Sequence, residues 1–131
     1  MKLGKVLELI EGKLISENVD FDLGVQMGCG ADLMSDVLAF THDGTLLMTG
    51  LTNSQVVRTA EMAGIVAIVF VRGKIPPPDT VALAEEKGIP LLGSKYTMFE
   101  TCGRLYQGGL VSCGLFELTL QRWHDTLGGA D

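Results

Sequence analysis

The stretch that decides the fold is residues 45–78, TLLMTGLTNSQVVRTAEMAGIVAIVFVRGKIPPP. It reads as strand, helix, strand. Leu46, Leu47 and Met48 form a short apolar run that ends at Gly50. Residues 54–63 have helical spacing, with Val56, Ala60 and Ala63 on one face and Val57 beside them. Gly64 stops that helix. Residues 65–71 are then an unbroken apolar run rich in β-branched side chains. A half-exposed strand would alternate. This one does not, so it is expected to be buried on both faces, as at the centre of a parallel sheet.

The pattern continues outward on both sides. Leu3, Val6, Leu7 and Ile10 lie on one helical stripe that ends at Gly12. Residues 13–16 and 24–29 read as two short strands, expected to pair antiparallel. Residues 31–40 read as a helix in which Leu33 and Val37 pair with Met34 and Leu38. Downstream, Pro76, Pro77 and Pro78 lead into a helix over 79–87, because proline is tolerated in a first turn. Gly88 suits the left-handed position after it. Leu91 and Leu92 begin another strand. Thr97 and Glu100 have the spacing of a capping box, ahead of a helix whose buried face is read as Phe99, Cys102 and Leu105. Gly108 and Gly109 break it. Phe116, Leu120, Trp123 and Leu127 mark a final helical stripe.

This alternation predicts an α/β fold, a mostly parallel central sheet of four to five strands with flanking helices and right-handed crossovers. The domain is expected over residues 1–109, with a C-terminal helical extension over 110–131. The final stripe must pack either on its own core or on another copy. A homodimer is the symmetric form of the second solution.

Composition sets further bounds. The chain has 131 residues, 47% of them apolar, and a net charge of −6. An acidic balance argues against nucleic acid and anionic membrane as partners, since both attract a basic footprint. The longest apolar run is far shorter than the roughly 20 residues of a spanning helix. Residues 1–12 carry Glu8 and Glu11 and lack the apolar core of a signal peptide. A cytoplasmic location is expected. Cys29, Cys102 and Cys113 are widely spaced, so no zinc or thioredoxin-like pattern forms, and reduced, mostly buried thiols are expected.

No catalytic or metal motif is complete. Gly73-Lys74 is followed by Ile75, which rules out a P-loop. Gly28-Cys29-Gly30 starts like a dinucleotide fingerprint, but Leu33 stands where the third glycine belongs. The two histidines, His42 and His124, sit in a turn and in the final helix, away from any nucleophile. Asp32 and Asp36 read as the polar surface of one helix rather than as a carboxylate pair. No catalytic residue, metal ligand or cofactor is therefore expected.

What does converge is a set of loops. Ligands of open parallel sheets bind beyond the carboxyl ends of the strands. Those ends lead into Thr52, Asn53 and Ser54, into Arg72, Gly73 and Lys74, and into Ser94 and Lys95. The first group opens a helix, where free N–H groups attract anions. The other two supply three of the ten Lys and Arg residues. Together they suit a phosphate or carboxylate. Ordinary loop polarity would produce the same residues.

Residues 27–107 resemble the DRTGG domain, in particular its short stand-alone members. The match lies in Asp32-Leu33-Met34-Ser35-Asp36-Val37, Gly44-Thr45-Leu46-Leu47-Met48-Thr49, and the helix exit Ala60, Ala63, Gly64, Ile65. It continues in Gly73 with Pro76, in Gly88-Ile89-Pro90 and in Phe99-Glu100. The domain is similar to the N-terminal domains of HPr kinase/phosphorylase and of the Mur ligases, so the resemblance implies an HPr kinase N-terminal-domain-like fold. It also implies a regulatory, ligand-binding or assembly role without catalytic machinery. The sequence departs from the naming signature, with Thr52-Asn53 in place of Asp-Arg and Val71-Arg72-Gly73 in place of Thr-Gly-Gly. Two functions remain open: a sensor that binds a nucleotide or phospho-metabolite and signals to a protein partner of unknown identity, or a ligand-free assembly module.

Overall fold

The computed structural model describes residues 1–114 and 117–127. The elements run α1 (Leu3–Ile10), β1 (Lys13–Leu14), β2 (Met27–Gly30), α2 (Met34–Phe40), β3 (Thr45–Thr49) and α3 (Ser54–Ala63). They continue with β4 (Ile65–Phe70), α4 (Pro78–Lys87), β5 (Leu91–Gly93), α5 (Met98–Gln107), β6 (Val111–Ser112) and α6 (Glu117–Leu127). The described strands form one sheet in the order β1-β5-β4-β3-β2-β6. Every neighbouring pair is parallel except β1 with β5.

β3 and β4 lie at the centre, and their side chains alternate between two apolar layers. Leu46, Met48, Ala67 and Val69 join Leu3, Val6, Ile10 and Leu105, so α1 and α5 cover that face. Leu47, Ile68 and Phe70 join Val37, Val56, Ala60 and Ala84, so α2, α3 and α4 cover the other. Both alternating sets are apolar, which is why the strands read as continuous hydrophobic runs.

Handedness decides which helix goes where. Three successive crossovers step from β2 to β3, β4 and β5 in one direction, and right-handed connections put α2, α3 and α4 on one face. The next crossover, through α5, returns across the sheet to β6, so the same hand puts α5 on the opposite face, beside α1. Local chemistry fixes the ends. Asn53 caps α3 by accepting from the Gln55 N–H, and Thr97 caps α5 by accepting from the Glu100 N–H. Gly64 ends α3 at φ 75°, and a Cβ there would run into Asp43.

The structure corrects several expectations. The sheet has six strands rather than four or five, because the two-residue edge strands β1 and β6 leave no period in the sequence. The expected antiparallel pairing of residues 13–16 with 24–29 does not form. β1 pairs with β5, and β2 starts only at Met27 and pairs parallel with β3 and β6. Residues 15 and 16 stay beside β5, and residues 21–25 run along the start of α1, with the Leu3 N–H donating to Leu23 O at 2.8 Å and the Gly4 N–H to Phe21 O at 3.0 Å. α2 starts at Met34, and of its expected apolar set Leu33 and Leu38 are exposed while Val37 is fully buried. Phe99 is 88% exposed, since Thr101 and Leu105 are the residues that α5 buries. Of the final stripe, Leu120, Trp123 and Leu127 are exposed on α6, and Phe116 lies outside the described residues. No described helix is long and apolar enough to cross a membrane.

Phe70 has no exposed surface, so Phe70→Ala should cost about 3–5 kcal/mol, the transfer loss plus a cavity. Phe99→Ala should stay within about 0.5 kcal/mol, as exposed substitutions do. Urea unfolding of both variants checks the assignment of the two aromatic rings.

Candidate functional site

Five parallel strands end on one edge of the sheet, and residues 31–33, 50–53, 71–77 and 94–97 follow β2, β3, β4 and β5 there. After β4 the chain runs to α4 on one face. After β5 it runs to α5 on the other. Such a divergence is a topological switch point, where open sheets hold ligands. Here the two loops bind each other. The Arg72 N–H donates to Tyr96 O at 2.7 Å, and the Gly73 N–H donates to Ser94 O at 2.8 Å. Those bonds hold Arg72 at φ 60° and Gly73 at φ 66°. Glycine takes the left-handed region freely, whereas arginine does so at a cost.

The expected site residues separate into two groups. Thr52, Asn53, Ser54, Arg72, Gly73 and Lys74 share the carboxyl edge of β3 and β4. The Thr52 carbonyl accepts from Thr80 Oγ1 at 2.9 Å, and Asn53 Oδ1 accepts from the Gln55 N–H at 3.1 Å. Arg72, Gly73 and Lys74 are exposed. Among the described residues, no carboxylate lies within ion-pairing distance of Arg72 or Lys74. Ser94 turns inward. It is 2% exposed, shares a hydrogen bond with Thr101 Oγ1 at 2.9 Å and accepts from the Tyr96 N–H at 3.2 Å. Lys95 turns toward Glu11, at 3.6 Å, and lies 5.3 Å from the Tyr96 ring centre.

Asp32 is the residue the sequence reading misplaced. It precedes α2 instead of lying with Asp36 on the polar surface of that helix. Its Oδ1 accepts from the Gly50 N–H at 2.8 Å and from Thr49 Oγ1 at 3.0 Å, tying the loop after β2 to the end of β3. A Cβ on Gly50 would lie 3.6 Å from Asp32 Oδ1 and 3.8 Å from Arg72 Nη2. A carboxylate and a guanidinium thus flank one glycine at the sheet edge. The only signal in the sequence was Gly50 itself, a small residue just after a central strand.

Beside this edge a charged cluster braces the loop after β5. Glu11 Oε2 accepts from the Tyr96 hydroxyl at 2.6 Å and from Arg104 Nη1 at 3.1 Å. The Arg104 guanidinium stacks 4.0 Å above the Tyr96 ring, and its Nε also donates to Glu100 at 2.9 Å. The Tyr96 hydrogen bond, followed by the Lys95 charge, holds the Glu11 carboxyl below its ordinary 4.5. The same bond pushes the Tyr96 phenol up.

On the α5 face, a groove of about 640 Å³ opens between α5 and the β2–β6 edge, lined by Gly28, Gly30, Phe99, Cys102, Tyr106 and Val111 among others. It is apolar and carries none of the expected site residues. Among the described residues, no group of three or more His, Cys, Asp or Glu is placed to hold a metal ion.

The Glu11 cluster predicts a pH effect. A carboxyl with a lowered folded value stabilises above its unfolded value, and that contribution is lost as pH falls through the folded value. Removing the acceptor's main partner in Tyr96→Phe should raise the Glu11 value toward 4.5. Carboxyl NMR titration reads this directly, and an unmoved Glu11 would refute the assigned cause.

The DRTGG domain family matches residues 5–107 of the chain. Among solved structures, the fold is similar to the CBS and DRTGG domains of the regulatory region of Clostridium perfringens pyrophosphatase, complexed with its activator diadenosine tetraphosphate. The TM-score is 0.63 at 10% identity, over 95% of this chain and 60% of that one, so the likeness is one of fold. This chain therefore spans less than two-thirds of that chain's length. No curated protein matches the chain. With the family matching most of its length, the chain belongs to the DRTGG domain family.

Proposed function

We propose that the chain is a regulatory, non-catalytic domain that binds a nucleotide at the carboxyl edge of β3 and β4 and signals to a protein partner. The observation that carries this reading is Arg72. It occupies a left-handed backbone position at a strand end, where the family signature has glycine and this sequence has arginine. A non-glycine residue there costs on the order of 1 kcal/mol and persists where the surroundings enforce it, often at functional positions. The result is an exposed guanidinium free of carboxylate partners among the described residues, next to Lys74 and the start of α3. Arginine suits phosphate because its planar donors bind oxygens in pairs.

Asp32 favours a nucleotide over a bare phosphate. Its Oδ1 is committed to Gly50 and Thr49, while Oδ2 and Arg72 Nη2 would each lie 3.8 Å from a Cβ on Gly50. A carboxylate repels a lone anion but accepts from a ribose hydroxyl, as acidic residues do at other strand ends. The activator in the similar regulatory region is a dinucleotide, which supplies a first probe.

The test is calorimetric titration of diadenosine tetraphosphate and ATP into wild type, Arg72→Gly and Arg58→Ala. A charge-assisted hydrogen bond is worth about 1.5–3 kcal/mol, so Arg72→Gly should weaken binding at least about tenfold. Glycine fits the positive φ, so the same variant should change stability by less than about 1 kcal/mol. Arg58 is exposed on α3 and its removal should leave binding unchanged. Equal affinities in all three proteins place the nucleotide elsewhere.

A second reading, assembly as a homodimer, has its own observation. α6 carries Leu120, Trp123 and Leu127 at 43%, 63% and 63% exposure, an apolar stripe exposed among the described residues. A second copy would bury it. Light scattering of the full chain should give a dimer, and Trp123→Ser with Leu127→Ser should give a monomer. A monomeric wild type removes this reading and leaves the nucleotide site untouched.

A further inference from the structure

Cys29 and Cys113 stand side by side at the sheet edge. The β2–β6 ladder pairs Met27 with Val111 and Gly28 with Ser112. The ladder continues one residue further, because the Cys113 N–H donates to the Gly28 carbonyl at 3.0 Å. In a parallel pair that bond sets Cys113 opposite Cys29. Neighbouring strands run about 4.8 Å apart, inside the Cα separation of about 4.4–6.8 Å that a disulfide spans.

Alternation puts both thiols on one face. A Cβ on Gly28 would meet Leu110, and one on Gly30 would meet Cys102 Sγ at 2.8 Å, so both glycines look toward α5. Cys29, between them, looks the other way, toward Asp36 of α2. Cys102 lies on the α5 face with Met98 Sδ at 3.7 Å, and the sheet separates it from the pair. Burial, then the neighbouring Cys113, push the Cys29 thiol up to about 12, so it stays protonated at neutral pH. Cys113 directly follows the two-residue edge strand β6, half-buried, with Gly114 after it at φ 83°. The segment just past β6 is outside the ladder's strand residues, so it can adjust to the geometry a disulfide requires.

We propose that Cys29 and Cys113 are a redox-responsive dithiol, closed to an intramolecular disulfide by exchange with a small-molecule disulfide of the glutathione class. The Cys113 thiolate attacks one sulfur of oxidised glutathione. A Cys113–glutathione disulfide forms, and the first glutathione leaves and takes up a proton. The Cys29 sulfur then attacks Cys113 Sγ, giving up its proton to water, and the second glutathione leaves. Two electrons pass from the two cysteines to the glutathione disulfide, and two glutathione thiols result. The slow deprotonation of Cys29 is offset by its fixed place beside the bond it attacks. The clamp would fasten β6, which lines the α5 groove through Val111 and Ser112 and leads on toward α6.

The test is exposure of the full chain to oxidised glutathione, then alkylation, peptide mass analysis and hydrogen exchange. The expected result is loss of two of the three thiols, a peptide joining Cys29 to Cys113, and an alkylated Cys102. Amide exchange over 111–113 should slow at least about tenfold as local opening is suppressed. Cys102→Ser should behave as wild type, and Cys29→Ser should stop at a glutathione adduct on Cys113. A bond involving Cys102, a bond between two chains, a lasting glutathione adduct on wild type, or no thiol loss would each overturn the proposal. Wild type and Cys102→Ser decide the question even if Cys29→Ser does not fold.

Discussion

The parallel pairing of β3 with β4 is the constraint on which the rest of the structure depends. Two adjacent parallel strands cannot be joined by a tight turn, so a crossover helix must intervene. Both faces must then be covered, which is why Leu46, Met48 and Val69 meet one layer of helices while Leu47, Ile68 and Phe70 meet the other. The parallel ladder that continues from it aligns the carboxyl ends of five strands on one edge. Everything that gives this chain a candidate site, from Asp32 to Lys74, is at that edge because the pairing put it there.

The change of direction after β5 adds the second element. α5 takes the chain to the face opposite α4, so the loops after β4 and β5 diverge. They are held together by the bonds of Arg72 and Gly73 to residues 94–96, and the loop after β5 is held in turn by Glu11, Arg104 and Tyr96. This bracing explains the fate of Ser94 and Lys95. One is a buried hydroxyl inside the loop, and the other is an outward cation engaged with Glu11. It also explains how Arg72 is kept at a positive φ. Its own N–H is bonded and its neighbour is a glycine already in the same region.

The central unit was legible in the sequence because residues 65–71 combine β-branching with unbroken apolarity, and because Gly64 and Gly88 end their helices. Edge strands were not legible. β1 and β6 have two residues each, too few to show a period, and their pairing depends on partners 78 to 84 residues away. Phe99 was misread because helical spacing alone cannot tell which side of α5 meets the sheet. The true inward residues include Thr101, a polar residue that pairs with Ser94. Asp32 was misread for a related reason. Its role depends on Gly50, a neighbour only through the β2–β3 register. The carboxyl-edge loops could be located from strand order alone, but which of their side chains face outward depends on hydrogen bonds that no local pattern encodes.

The most direct measurement of the central claim is amide NMR mapping of the full chain during titration with diadenosine tetraphosphate. A ligand held at the carboxyl edge of β3 and β4 should give saturable shifts at residues 50–54 and 72–74, with Asp32 moving alongside. Shifts confined to the groove between α5 and the β2–β6 edge, or no saturable shift at any amide, would contradict it.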